Sequence, residues 1–157
     1  MARGYWLLKS DPDTFGWPDL LASPKKSTCW VWVRNYKARN SLRDDFRKGD
    51  RALFYHSQTD KAVVGTAEVV RAGYPDPTQF DRRSAGFDPK SAPDDPRWFA
   101  VDIRAEHELD RAVTLEDMRG RPELADLGLL RRGNRLSVMP VTAEEYRAIV
   151  RVGRGRG

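Results

Sequence analysis

Between Trp98 and Glu108 the chain reads as a long alternating strand. Trp98, Ala100, Asp102 and Arg104 fall on one side, and Phe99, Val101, Ile103 and Ala105 on the other. A period of two over so many residues predicts a long strand with one buried face. Five other stretches read as strands: Tyr5–Lys9, Thr28–Val33, Leu136–Val141, and the pair Arg51–Ser57 and Lys61–Arg71 that turns around Gln58-Thr59-Asp60. Gly65 lies inside the second strand of that pair, where a glycine signals a bulge or a close approach of other atoms to the backbone. Over Asn35–Arg47 the period changes to that of a helix. Ala38, Leu42 and Phe46 form an apolar stripe, and Arg39, Arg43 and Arg47 form a basic one beside it, with Tyr36 and Asn40 at its edge. A short helix is predicted over Phe15–Ala22, since Pro18 fits a first turn. Thr114-Leu115-Glu116-Asp117 and Thr142-Ala143-Glu144-Glu145 resemble capping boxes, the second opening a helix that ends at Ile149 or Val150. Residues 73–97 are rich in Pro, Asp and Gly and read as an irregular excursion with one helical turn after Asp76-Pro77.

Strands interspersed with short helices, without regular alternation, predict an α+β fold with a strongly curved sheet or barrel. No internal repeat appears. The 157 residues suffice for one core, taken as one domain over residues 1–152 with a flexible Gly/Arg tail at 153–157. The 39% hydrophobic content is modest, yet 10% of residues are aromatic and five are Trp, which excludes disorder over most of the length. Trp6, Trp17 and Trp98 read as core. Trp30 and Trp32 fit a core or a stacking surface equally.

The formal net charge is +5, carried by 21 Arg and 7 Lys against 23 acidic residues. Residues 31–60 and 131–157 are basic, and 101–130 are acidic. Such polarity suits an anionic partner, as it also suits an unevenly charged solvated surface. The single cysteine, Cys29, forbids an intrachain disulfide and points to a reducing compartment. The apolar run at Tyr5–Leu8 is too short for a signal peptide or a membrane helix. The expectation is a cytoplasmic protein with no membrane association.

Catalytic motifs are scarce. One Cys and two His, His56 and His107, cannot build a finger-type zinc site, and neither a metal nor another cofactor is expected. No phosphate-binding glycine loop occurs. Cys29 could pair with His56, but a lone Cys beside Trp30 reads more simply as a small buried residue. What stands out is the cluster of Trp30, Trp32 and Tyr36 interleaved with Arg34, Asn35, Lys37, Arg39 and Asn40. Flat rings stack on nucleobases, Asn and Arg read base edges, and basic groups neutralise phosphate.

These residues carry a resemblance. Tyr5-Trp6-Leu7-Leu8-Lys9-Ser10-Asp11-Pro12-Asp13-Thr14-Phe15 resembles the opening of EVE-domain proteins. Thr28 to Asn40 is similar to that family's signature Trp-x-Gly-Val-Arg-Asn-Tyr-x-Ala-Arg-Asn. Phe54-Tyr55-His56-Ser57, Tyr74 to Phe80 and Arg131 to Val138 match as well, so the likeness runs from Tyr5 to about Ile149. One departure stands in the signature: Val31 and Trp32 replace an acidic residue and a glycine.

The resemblance implies a PUA-like curved sheet or barrel with short helices around it, and a reader of modified bases in DNA or RNA with no catalytic residues. By carry-over, Trp30 is the main stacking wall and Trp32 either adds a wall or narrows the pocket. Lys9, Ser10, Tyr55, His56 and Ser57 bring polar groups to the mouth, and Ser137 supports it. Asn35 reads a base edge or caps the helix. Arg34, Arg43, Arg131, Arg132 and Arg135 face the nucleic-acid backbone, and Arg39 and Asn40 either do the same or pair with the neighbouring loops. The rival readings are a small-molecule enzyme using His56 or Cys29 in the same pocket, and a protein-interaction module with a basic face.

Overall fold

The computed structural model describes residues 4–31, 33–58, 60–131 and 136–154. Six strands form one mixed sheet: β1 (Tyr5–Ser10), β2 (Ser27–Trp30), β3 (Arg51–His56), β4 (Ala62–Pro75), β5 (Phe99–Thr114) and β6 (Val138–Val141). Their spatial order is β2-β5-β4-β3-β1-β6, with β1 and β3 parallel and every other pair antiparallel. The helices are short: α1 (Pro12–Phe15), α2 (Trp17–Ala22), α3 (Tyr36–Asp44), α4 (Leu115–Arg119) and α5 (Ala143–Gly153). This is the α+β, curved-sheet architecture expected, open at β2 and β6.

Period-two alternation divides the side chains between two cores. On one face, Trp6 and Leu8 of β1, Phe54 of β3 and Val101 and Ile103 of β5 pack with Trp17, Leu20 and the Ala38, Leu42, Phe46 stripe. On the other, Leu7, Leu53, Tyr55 and Val63 meet Met118, Leu124, Leu127 and the Ala148, Ile149, Val152 face of α5. The sheet is rolled. Trp30 lies on edge strand β2, yet its ring meets Phe54 of β3 edge-on at 5.7 Å, although β5 and β4 separate those strands in hydrogen-bonding order.

Element boundaries differ from the expected ones for identifiable reasons. The helix predicted over Phe15–Ala22 is two helices broken at Gly16, whose backbone is extended. There the Trp17 N–H donates to His56 Nε2 at 2.9 Å, and the Gly16 N–H donates to Asp19 Oδ2 at 2.7 Å. β2 stops at Trp30, short of Val33. β4 and β5 run longer than predicted because several register shifts let each bend and continue pairing. Gly65 sits at one of them, against the Trp17 ring. α5 continues to Gly153, which is buried against Leu109, so the residue assigned to the start of the tail closes the last helix instead. Both capping boxes form, at Thr114 and at Thr142. Among the described residues no helix is long and apolar enough to cross a membrane.

Candidate functional site

Where the rolled sheet brings β2 opposite the end of β1, a cleft of about 440 Å³ opens. One wall is Thr28, Cys29 and Trp30 of β2, together with Val31 and Val33. The other is Lys9 and Ser10 at the end of β1, with Thr14 and Phe15 of α1 and Ser137 ahead of β6. Main-chain bonds fix the second wall. The Lys9 N–H donates to the Ser137 carbonyl at 2.8 Å, and the Ser57 N–H donates to the Ser10 carbonyl at 2.8 Å. The Ser10 hydroxyl donates to the Phe15 carbonyl, tying β1 to α1.

The tryptophans separate by what their indole N–H groups do. Trp6 donates to Asp50 Oδ2, Trp17 to Glu108 Oε1 and Trp98 to Asp88 Oδ2, at 2.7–2.9 Å. All three are buried core rings, as expected. Trp30 is 9% exposed and packs on Phe54, but its N–H has no protein partner among the described residues. It is therefore both a core ring and a cleft wall, not one or the other.

Lys9 has no carboxylate partner among the described residues, and burial lowers its pKa from the ordinary lysine value. At the opposite wall, Cys29 Sγ lies 2.6 Å from the Tyr74 hydroxyl, which in turn donates to Asp102. Burial raises the Cys29 pKa; the Tyr74 hydrogen bond opposes this, and the Asp102 and Asp76 charges reinforce it. Tyr74 is raised too, by burial and then by its bonds to Asp102 and Cys29. A thiol held protonated in this way is a poor nucleophile.

The expected site residues divide accordingly. Lys9, Ser10, Trp30 and Ser137 come together in the cleft, and Ser57 braces Ser10 from behind. Tyr55 does not reach it: alternation along β3 turns it into the opposite core. His56 is on the cleft side of the sheet but is used structurally. Its Nε2 accepts from Trp17, which leaves Nδ1 to donate to Asp60 Oδ2 at 2.9 Å. Cys29 and His56 are thus engaged with different partners. Asn35 is exposed and caps α3, its Oδ1 accepting from the Lys37 and Ala38 N–H groups.

Among the arginines, Arg34 is a buried-side strut. It pairs with Asp76 Oδ2 at 3.0 Å, donates to Thr78 and the Gly86 carbonyl, and lies over the Trp98 ring. Arg43 is spent on Asp44. Arg39 donates to Asn40 Oδ1 and to the Arg97 carbonyl. Arg131 is exposed. Trp32, Arg132 and Arg135 lie outside the described residues. Sequence reading passed over Thr14, Phe15 and Thr28 as cleft residues, since nothing in their local pattern marks them; only the roll of the sheet brings them together. Among the described residues no cluster of His, Cys, Asp or Glu could hold a metal.

A model of the EVE domain matches residues 4–152. Thymocyte nuclear protein 1 of Mus musculus is 39% identical over 161 residues, spanning 90% of this chain and 70% of its own length. A solved structure of a hypothetical protein from Leishmania major has a TM-score of 0.90 at 42% identity, covering 99% of this chain and 97% of that one. Human THYN1, crystallised in complex with 5-methylcytosine-containing DNA, has a TM-score of 0.89 at 33% identity, covering 96% of this chain and 97% of that one.

Proposed function

The chain belongs to the EVE domain family, and from this we propose that it binds nucleic acid and reads a modified base taken into the cleft walled by Trp30. The observation that carries the reading is the Trp30 indole, which packs edge-on against Phe54 and also lines a cleft of about 440 Å³. That volume lies within the range of ~300–1,000 Å³ usual for small-molecule sites. The THYN1 complex with 5-methylcytosine-containing DNA supports a methylated pyrimidine as the first base to test.

A base reaches such a cleft by leaving its stack, at a cost of a few kcal/mol in a duplex. Stacking on an aromatic ring returns ~1–3 kcal/mol. The remainder comes from phosphate contacts, which a net charge of +5 favours. In this reading Lys9, whose amine has no carboxylate partner among the described residues, donates to a base carbonyl, with Ser10 and Ser137 beside it on the same wall. The chemistry is recognition: the thiol is held protonated and the imidazole is a structural brace.

Because Trp30 is also core, its removal costs stability as well as stacking. The informative pair is Trp30→Leu and Phe54→Leu, measured for affinity to matched oligonucleotides with and without one 5-methylcytosine. Both variants lose core contacts, but Phe54 does not line the cleft. Trp30→Leu is expected to lose about 5-fold or more in affinity for the modified strand and with it the preference. Phe54→Leu keeps the preference. Equal preference in both variants, at a temperature where both are folded, would remove Trp30 from the site.

A further inference from the structure

The function proposed above leaves an exposed aromatic stack unexplained. Tyr36, the first residue of α3, is 51% exposed, although its ring lies 4.9 Å from that of Trp98 at 25°. Three guanidinium groups gather on this stack. Arg34 lies over Trp98 at 5.2 Å, Arg39 over Tyr36 at 4.9 Å, and Arg97 Nη1 reaches to 3.5 Å from the Tyr36 hydroxyl. Arg34 is neutralised by Asp76. Arg39 and Arg97 form no ion pair among the described residues. Arg39 is held by the Arg97 carbonyl, the Asn40 amide oxygen and the Tyr36 ring. The nearby Asp88 carboxylate is already engaged by the Trp98 indole, and Asp44 by Arg43.

Two arginines positioned by uncharged partners keep their full charge and lose little freedom on binding an anion. This platform continues from the cleft along the chain: Val33 lines the cleft, and Arg34 and Asn35 lead directly to Tyr36. We propose that Tyr36, Arg39 and Arg97 seat the sugar-phosphate backbone beside the nucleotide held in the cleft. The two guanidiniums take a phosphate, and the Tyr36 ring and hydroxyl support the adjoining sugar or base. The proposal rests on the nucleic-acid reading of the cleft and adds the surface that holds the strand. Arg97 is its new member, and Tyr36, one of the rings marked in the sequence, takes a defined place outside the cleft. Tyr36 shares its helix with the sequence-predicted basic stripe, whereas Arg97 comes from the far end of the irregular excursion, where no local pattern marks it.

The test titrates matched oligonucleotides, with and without 5-methylcytosine, between ~50 and ~200 mM salt. Wild type, Tyr36→Ala, Arg97→Gln and Trp30→Leu are compared. Arg97→Gln is expected to weaken both oligonucleotides by the same factor and to reduce the slope of log affinity against log salt by about 1. Tyr36→Ala is expected to weaken both by roughly 5-fold or more. Both variants keep the preference that Trp30→Leu loses, and all melt near wild type except Trp30→Leu. Wild-type affinity and salt slope in both Tyr36→Ala and Arg97→Gln would overturn this inference while leaving the cleft reading intact. Absence of oligonucleotide binding by wild type would overturn both. Competition by polyglutamate at the same charge concentration, equal to that of the oligonucleotide itself, would assign the platform to an acidic protein and overturn the inference too.

Discussion

Trp17 serves several ends at once: it fills the core, ties its indole to Glu108 and occupies the space above Gly65. A methyl group at Gly65 would lie 2.5–2.7 Å from three atoms of that ring. Two effects of Gly65→Ala therefore oppose each other. Replacing a strand glycine gains roughly 0.5–1 kcal/mol through reduced chain entropy, whereas overpacking a tight core costs ~1–3 kcal/mol. The clash is with a rigid indole held at both ends, so overpacking wins. The urea midpoint of Gly65→Ala is expected to fall, and a midpoint at or above wild type would show that the ring can move aside. The mid-strand glycine was a readable signal of close approach, but its partner was not: Trp17 is 48 residues away in sequence and meets it only in the folded chain.

At the scale of elements, legibility followed the locality of the forces. Both capping boxes, the α3 stripe and the β5 alternation depend on residues a few positions apart, and all four appear where expected. The break at Gly16 rests on a distant partner, His56, as well as on the local bond to Asp19, and the extent of β4 and β5 rests on register shifts between distant partners, which no local pattern marks. Asn35 illustrates the same divide. Its side-chain oxygen accepts two N–H groups of α3, the bonds a helix cap makes. Asn35→Ala is accordingly expected to cost about 1 kcal/mol. Asn35→Ser caps equally well and lacks the amide, so it is expected to retain both stability and base preference. Retained stability with lost preference would show instead that the amide reads the base.

Over the whole molecule, the candidate site exists because the sheet rolls until β2 faces the end of β1, and no stretch of sequence contains that juxtaposition. Carboxylates secure this arrangement at several separate points. Glu68 of β4 is held below the ordinary carboxylate range by its hydrogen bond to Arg51 of β3, with Arg104 of β5 adding to it. Asp88 is lowered by the Trp98 indole, which anchors the excursion, and Asp117 by the Thr114 backbone N–H, which opens α4. In each case the folded chain releases its proton more readily than the unfolded chain, whose carboxylates titrate near ~4. As the pH falls through that region, the unfolded state takes up more protons and gains on the native one. The stabilisation is complete above the unfolded values and disappears as the folded values are passed. These groups are only partly buried and remain open to solvent screening, so each contributes little on its own. Their loss coincides with a rise in net positive charge on a chain that already carries +5. The urea midpoint is therefore expected to stay level between about pH 8 and 5 and to drop below about pH 4. Asp88→Asn should make that drop shallower, because the asparagine side chain carries no titrating group for the Trp98 indole to stabilise. An Asp88→Asn profile parallel to wild type through the acid range would show that the Trp98–Asp88 bond has no part in the acid response.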